Sequence, residues 1–392
     1  MPMSAAEAEN AIRAGIAALQ QGRAAEARGL FQTVIDRGSP LPPPWFLLAQ
    51  ACRHAGDPAA EEAALDRVLA GEPRNIGALV MKGDLRDRVG DRRAAVSFYA
   101  AALAAAEHAG SISPMLAREL ERVRAVSREA QQGFARQLEA HLESAGVSQE
   151  VRTARFQTAL DIMLGKKQLY LQQPNSFYYP FLPQIQFYER SSFPWLREVE
   201  AAAPAIREEL ETVLAEEGGF RPYVEINPDR PQPANHLLGD PSWGAFYLWK
   251  AGEIVAENAK RCPRTMEALG HAPMPRIRGR SPLALFSLLK AGTHIKPHNG
   301  LLNTRLICHL PLIVPPGCRL RVGNEVREWE AGKALIFDDS IEHEAWNEGN
   351  ETRVVLLFEI WRPEIEEAER AALTSLFEAI TDYGAMPLEE GG

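Results

Sequence analysis

Four of the nine histidines in the 392-residue chain, His294, His298, His309 and His343, fall within a span of 50 residues. Imidazole is the commonest metal-binding side chain, so the cluster points to a metal centre. His294 and His298 are four apart, the spacing that on a helix holds zinc in a protease. Pro297 and the flanking Gly292 and Gly300 argue against a helix here, and the glutamate base of that motif is missing. On strands, side chains alternate. His294, Lys296 and His298 should then share one face and, beyond an Asn299-Gly300 turn, Arg305, Ile307 and His309 should share one face of the next strand. Residues 332–337 read as a third strand and Asp338-Asp339-Ser340 as a turn toward His343. Arg353 opens a fourth strand, VVLLFEIW, apolar on both faces and hence buried. An arginine entering a buried strand needs an anion, because an unpaired buried charge is very costly.

Two histidines distant in sequence and an inward arginine on a β barrel fit an iron site beside a carboxylate pocket. That is the chemistry of a 2-oxoglutarate oxygenase. The keto acid chelates Fe(II) through its keto oxygen and one carboxylate, and an arginine holds its far carboxylate. Most such sites add a carboxylate ligand, usually two residues after the first histidine. Here that position is Gly300.

The segments GTHIKPHNGLLNTRLICHLPL and WEAGKALIFDDSIEHEAWN, followed by the stretch from Arg353 to Glu364, resemble the aspartyl/asparaginyl β-hydroxylase family, whose metal is held by two histidines without the carboxylate. A weaker likeness reaches back to about Phe177 through FPWLREVEAAAPAIREEL. The resemblance implies a double-stranded β-helix (jelly-roll, cupin-like) oxygenase domain using Fe(II), 2-oxoglutarate and dioxygen. It implies His298 and His343 as iron ligands, Arg353 and Ser287 as partners of the far carboxylate, and His309 beside the nearer one. Arg305 would face a peptide substrate. An arginine frequent in the family two residues later is replaced here by Ile307. His294 reads as lying outside the site. Asp338, Asp339, Glu342 and Glu344 read as a solvated turn, with Asp339 a candidate to orient a ligand histidine, and Glu359 as a buried group with a backbone partner.

The elements that must position these residues occupy only the second half of the chain. Gly22, Gly56 and Gly90 are 34 residues apart, the period of tetratricopeptide repeats, with Ala27 and Phe31, Leu65, and Ala95 and Tyr99 following at helical spacing. Glu61 departs from this pattern at a position usually given to alanine. Repeats of this kind stack into a surface that holds a partner. The organisation expected is an α+β multidomain chain: helical repeats over 1–110, a helical connector over 111–172, and the oxygenase domain over 173–392 with its core at 285–365.

A formal charge of −9 argues against a general nucleic-acid binder. No apolar run approaches the roughly 20 residues of a membrane span, and the N-terminus lacks signal-peptide character. Cys52, Cys262, Cys308 and Cys318 form no CxxC pair and read as reduced thiols in a cytoplasmic protein. The activity expected from the resemblance is hydroxylation of the β carbon of Asp or Asn in a peptide or protein, with the repeats as a candidate holder of that substrate. The alternatives are a lipid acyl-chain hydroxylase of the lipid A type and a non-catalytic, repeat-based binding module.

Overall fold

The computed structural model describes residues 1–216, 219–226, 228, 231–232 and 234–383. The chain divides into two compact units, Met1–Leu160 and Asp161–Gly392.

The first unit is built from helix hairpins: α1 (Ala5–Gln20) with α2 (Ala24–Arg37), α3 (Trp45–Ala55) with α4 (Pro58–Gly71), and α5 (Ile76–Arg88) with α6 (Arg92–Glu107). These are the hairpins that the 34-residue period predicts. A repeated contact closes the first and third pairs. A Cβ at Gly15 would overlap the Phe31 ring and one at Gly83 the Tyr99 ring, so glycine lets the two helices close on an aromatic residue 16 positions later. Glu61, the departure from the repeat pattern, is buried and ion-paired with Arg88 of the next hairpin. The long helix α7 (Pro114–Ser144), capped by Ser113, adds Leu120 and Val123 to the core of the third hairpin.

The second unit is a β sandwich. Its strands are β1 (Phe187–Tyr188), β2 (Arg221–Pro222), β3 (Trp243–Lys250), β4 (Glu253–Ile254), β5 (Ala284–Leu289), β6 (Thr293–His298), β7 (Arg305–Ile313), β8 (Cys318–Val322), β9 (Glu325–Glu328), β10 (Leu335–Phe337), β11 (His343–Asn347) and β12 (Arg353–Trp361). The larger sheet runs β1-β10-β7-β12-β5-β3-β2, with β4 on β3, and the smaller runs β6-β11-β8-β9. All of these pairings are antiparallel. This is a jelly-roll arrangement of two facing sheets.

Alternation along β5, β7 and β12 decides what faces where. Phe286 and Leu288, Leu306, Cys308 and Leu310, and Val354, Leu356 and Phe358 pack outward against helices Leu196–Ala201, Ala203–Ala215 and Pro263–Leu269. The intervening residues Ser287, Arg305, Ile307, His309, Arg353 and Leu357 point between the sheets. Both faces of these strands are therefore buried, as their composition predicts. Among the described residues no helix is long and apolar enough to cross a membrane.

Candidate active site

A cavity of about 790 Å³, its mouth included, opens between the sheets and brings His298, His343, His309, Ser287, Arg353 and Arg305 together. His298 reaches it by an irregularity. His343 pairs with His298 and Ala345 with Ile295, so two steps on β11 oppose three on β6. The bulge falls at Lys296–Pro297, where proline cannot donate to the ladder, and it turns His298 onto the face that carries Ile295. Strict alternation had predicted one shared face for His294, Lys296 and His298, and the bulge corrects it. His294 lies outside the cavity, stacked on Trp346 with centroids 5.1 Å apart and bonded to Glu344 at 2.8 Å.

The two cavity imidazoles sit side by side, with centroids 4.2 Å apart. Nδ1 of His298 lies 2.8 Å from the Lys296 carbonyl, and Nδ1 of His343 lies 3.1 Å from the Ile341 carbonyl. A carbonyl only accepts, so Nδ1 carries the proton on each ring and Nε2 is the basic nitrogen. Burial, and then the charge of His298, hold the His343 pKa well below the usual 6.5. The ring is neutral at neutral pH, the form that binds a metal.

Among the described residues no group of three or more His, Cys, Asp or Glu side chains is arranged around a common point for a metal. Gly300, where a third ligand would stand, has no room for a side chain, because a Cβ there would overlap Oδ2 of Asp339. That carboxylate lies 3.4 Å from Arg305. The acidic turn is thus not solvated as expected. Asp338, Asp339 and Glu344 are buried, Asp338 paired with Arg362 at 2.6 Å and Glu344 with Arg321.

Arg353 is 1% exposed and, among the described residues, has no carboxylate partner. Its Nη1 donates to the Ser287 carbonyl at 3.3 Å, its guanidinium lies 4.7 Å above Trp329, and its Nε has no hydrogen-bond partner. Burial pushes its pKa down to about 10, so the charge persists at neutral pH. His309 is next to it. Burial, then the Arg353 charge, hold its pKa well below 6.5, and its Nδ1 also lacks a partner. Ser287 Oγ accepts from Trp243 Nε1 at 3.4 Å.

Arg305 lines the cavity, but its guanidinium is engaged by Glu359 and approached by Asp339. Glu359 also accepts the Leu283 amide at 2.9 Å, the backbone partner expected for it. Ile307 presents an apolar side chain where the family often has an arginine.

The donor set fits an iron held by two imidazoles together with a chelating dicarboxylate. Two Nε2 atoms are presented by fixed tautomers, and a buried cation with an orphaned Nε needs an anion. Sequence reasoning confined to 285–365 missed Tyr223, Asn235 and Trp243, which also line the cavity. Tyr223 and Trp243 stack at 4.1 Å, and Trp243 reaches toward His298. The signal was available in WGAFYLWK, a strand whose apolar residues fill both faces.

Fold and site together define a jelly-roll domain with a histidine pair and a buried arginine lining one cavity. Residues 200–363 match the family described as Aspartyl/Asparaginyl beta-hydroxylase. The C-terminal half of the chain carries an aspartyl/asparaginyl β-hydroxylase family domain. An ornithine lipid ester-linked acyl 2-hydroxylase of Rhizobium tropici is 40% identical over 179 residues, 45% of this chain and 60% of that protein. The human aspartyl/asparaginyl beta-hydroxylase is 37% identical over 135 residues, 34% of this chain and 18% of that one. The chain thus spans less than two thirds of either relative. The Sgt2 TPR domain from Aspergillus fumigatus is 20% identical over 34% of this chain and 85% of its own, at a TM-score of 0.28.

Proposed function

We propose that the C-terminal unit is an Fe(II)- and 2-oxoglutarate-dependent dioxygenase that hydroxylates an unactivated C–H bond. The observation that carries this reading is Arg353, a buried charge without an acidic partner in the cavity that holds the histidine pair. His298 and His343 would hold the iron through Nε2. Arg353, with Ser287 beside it, would take the far carboxylate of 2-oxoglutarate, and neutral His309 the nearer one. When bound, the iron and its cosubstrate would couple dioxygen reduction to succinate and carbon dioxide release and to insertion of one oxygen into the substrate. The apolar walls of Leu357, Phe337 and Trp243 would keep water from the reacting carbon.

The substrate assigned by family likeness is the β carbon of an Asp or Asn side chain in a peptide or protein, with Arg305 as the cation that receives it and the repeats as a surface that holds the chain. A specific observation favours a second substrate, a lipid acyl chain. The Arg305 charge is already matched by Glu359 and Asp339, and Ile307 adds apolar surface instead of a second cation.

Anaerobic addition of Fe(II) and 2-oxoglutarate should produce a weak visible charge-transfer band, absent from His298→Ala. Lack of a band in the wild type at saturation would overturn the oxygenase reading. Mass spectrometry for the gain of one oxygen, across Asp/Asn peptides and acyl lipids, separates the two substrates. Deleting residues 1–110 should weaken turnover of a protein substrate more than substrate-free 2-oxoglutarate decay; equal effects would remove the repeats from substrate holding.

A further inference from the structure

We infer that residues 164–188 form a docking surface for an anionic lipid membrane beside the cavity mouth. This stretch, LGKKQLYLQQPNSFYYPFLPQIQFY, contains Lys166 and Lys167 and no aspartate or glutamate, within a chain whose net charge is −9. It also holds seven of the chain's 30 aromatic residues. Composition of this kind, aromatic and aliphatic side chains flanked by lysines, suits the interface of a bilayer with acidic headgroups.

The fold sorts these side chains into two sets. Phe177, Tyr179 and Leu182 turn inward onto a core with Leu302, Trp361 and Phe377. Leu169, Leu171, Tyr178 and Phe181 turn outward, 66%, 46%, 52% and 100% exposed. Phe181 is the extreme case. It stands between Pro180 and Pro183 with φ at +66°, a left-handed conformation that a bulky residue rarely adopts, and its ring meets only solvent. The two outward stretches run side by side, because Gln172 accepts no gap between them: its amide donates to Gln184 Oε1 at 2.7 Å and its side chain to the Pro183 carbonyl at 2.9 Å.

The same stretch borders the cavity. Asn175 donates to the Gly300 and Asn299 carbonyls and Phe177 to that of Leu301, and all three acceptor residues line the cavity. Lys296 is exposed two residues before His298. Lys167 lies 3.4 Å from Asp161 and is partly neutralised, whereas Lys166 and Lys296 are exposed. A docked bilayer would therefore lie against the cavity mouth. The inference stands on the surface alone and does not use the oxygenase reading.

The test is flotation of the full chain with vesicles of equal parts phosphatidylcholine and phosphatidylglycerol, and with phosphatidylcholine alone. The chain should float with the mixed vesicles, less with the neutral ones, and release as salt rises. Phe181→Ser should weaken binding about tenfold or more, and Lys166→Gln about fivefold. Val326→Ser, which removes an exposed apolar residue on β9, should change nothing. Each variant should keep the wild-type circular dichroism and melting temperature. No flotation with mixed vesicles at low salt, or flotation unchanged in Phe181→Ser, would overturn the inference.

Discussion

Replacing Arg353 with methionine should leave the unliganded protein about as stable as it was while removing its response to 2-oxoglutarate. A guanidinium held near pKa 10 instead of 12.5 carries about 3 kcal/mol of uncompensated desolvation. Methionine removes that cost. It also removes about 1 kcal/mol from the hydrogen bond to the Ser287 carbonyl and about 1–2 kcal/mol from the face of Trp329. The opposing effects leave a net change within about 1 kcal/mol of zero, whereas breaking a buried ion pair costs about 3–5 kcal/mol. Binding behaves differently. Loss of the charge that receives a carboxylate should cost about 2–5 kcal/mol, a weakening of roughly 30-fold or more. At a cosubstrate concentration of about 100 Kd the wild type gains about 2.7 kcal/mol of apparent stability, and the variant should gain less than about 1 kcal/mol. Anaerobic calorimetry with and without 2-oxoglutarate, iron present, measures both. A loss of 3 kcal/mol or more without cosubstrate, or an undiminished cosubstrate response, would refute the role given to Arg353.

Arg362→Met should behave oppositely and cost about 3–5 kcal/mol in denaturant unfolding, because it strands the buried Asp338 carboxylate and Tyr188. Gly300→Ala should cost about 1–3 kcal/mol by displacing Asp339, and much of that should return in Gly300→Ala with Asp339→Gly; strictly additive costs would contradict the overlap. The folded-state pKa of His309 lies below the 6.5 of the unfolded chain, so as pH falls the unfolded chain takes the proton first. Its contribution to stability is complete above pH 6.5 and declines below it by about 1.4 kcal/mol per pH unit. Melting curves between pH 7.5 and 5.5 should be less steep for His309→Gln, and equal slopes would contradict the buried neutral ring.

The strand faces were legible where alternation is regular. Arg305, Ile307 and His309 were predicted to share a face and do so, and the burial of β12 followed from its apolar run. The repeats were legible because a period of 34 survives even where Glu61 replaces a small residue. What was not legible depended on chain geometry or on distant partners. The bulge at Lys296–Pro297 moves His298 away from His294, and nothing in six residues announces which position will be skipped. The acidic turn looked solvated because its partners, Arg362 and Arg321, stand about twenty residues away on either side in sequence. Tyr223, just after β2, and Trp243, which opens β3, precede the histidine cluster, so the cavity wall they form had no signature within 285–365.

Two sets of buried polar groups in the sandwich contrast, and the contrast bears on the proposed site. Arg362 is satisfied by Asp338, Tyr188 and two carbonyls, and Asn303 by Gln172 and Tyr179. These groups tie loops together and ask for nothing more. Three of the buried atoms without a hydrogen-bond partner among the described residues, Arg353 Nε, His309 Nδ1 and Trp329 Nε1, are neighbours: Arg353 lies 4.7 Å above Trp329, whose ring centroid is 6.0 Å from that of His309. A fold that satisfies Arg362 so fully has no structural reason to leave this corner unpaired. A bound dianion would satisfy it, so the cost of the unliganded corner is recovered on binding. An unpaired corner that a ligand would complete is the kind of place where local rules are expected to fail in a functional protein.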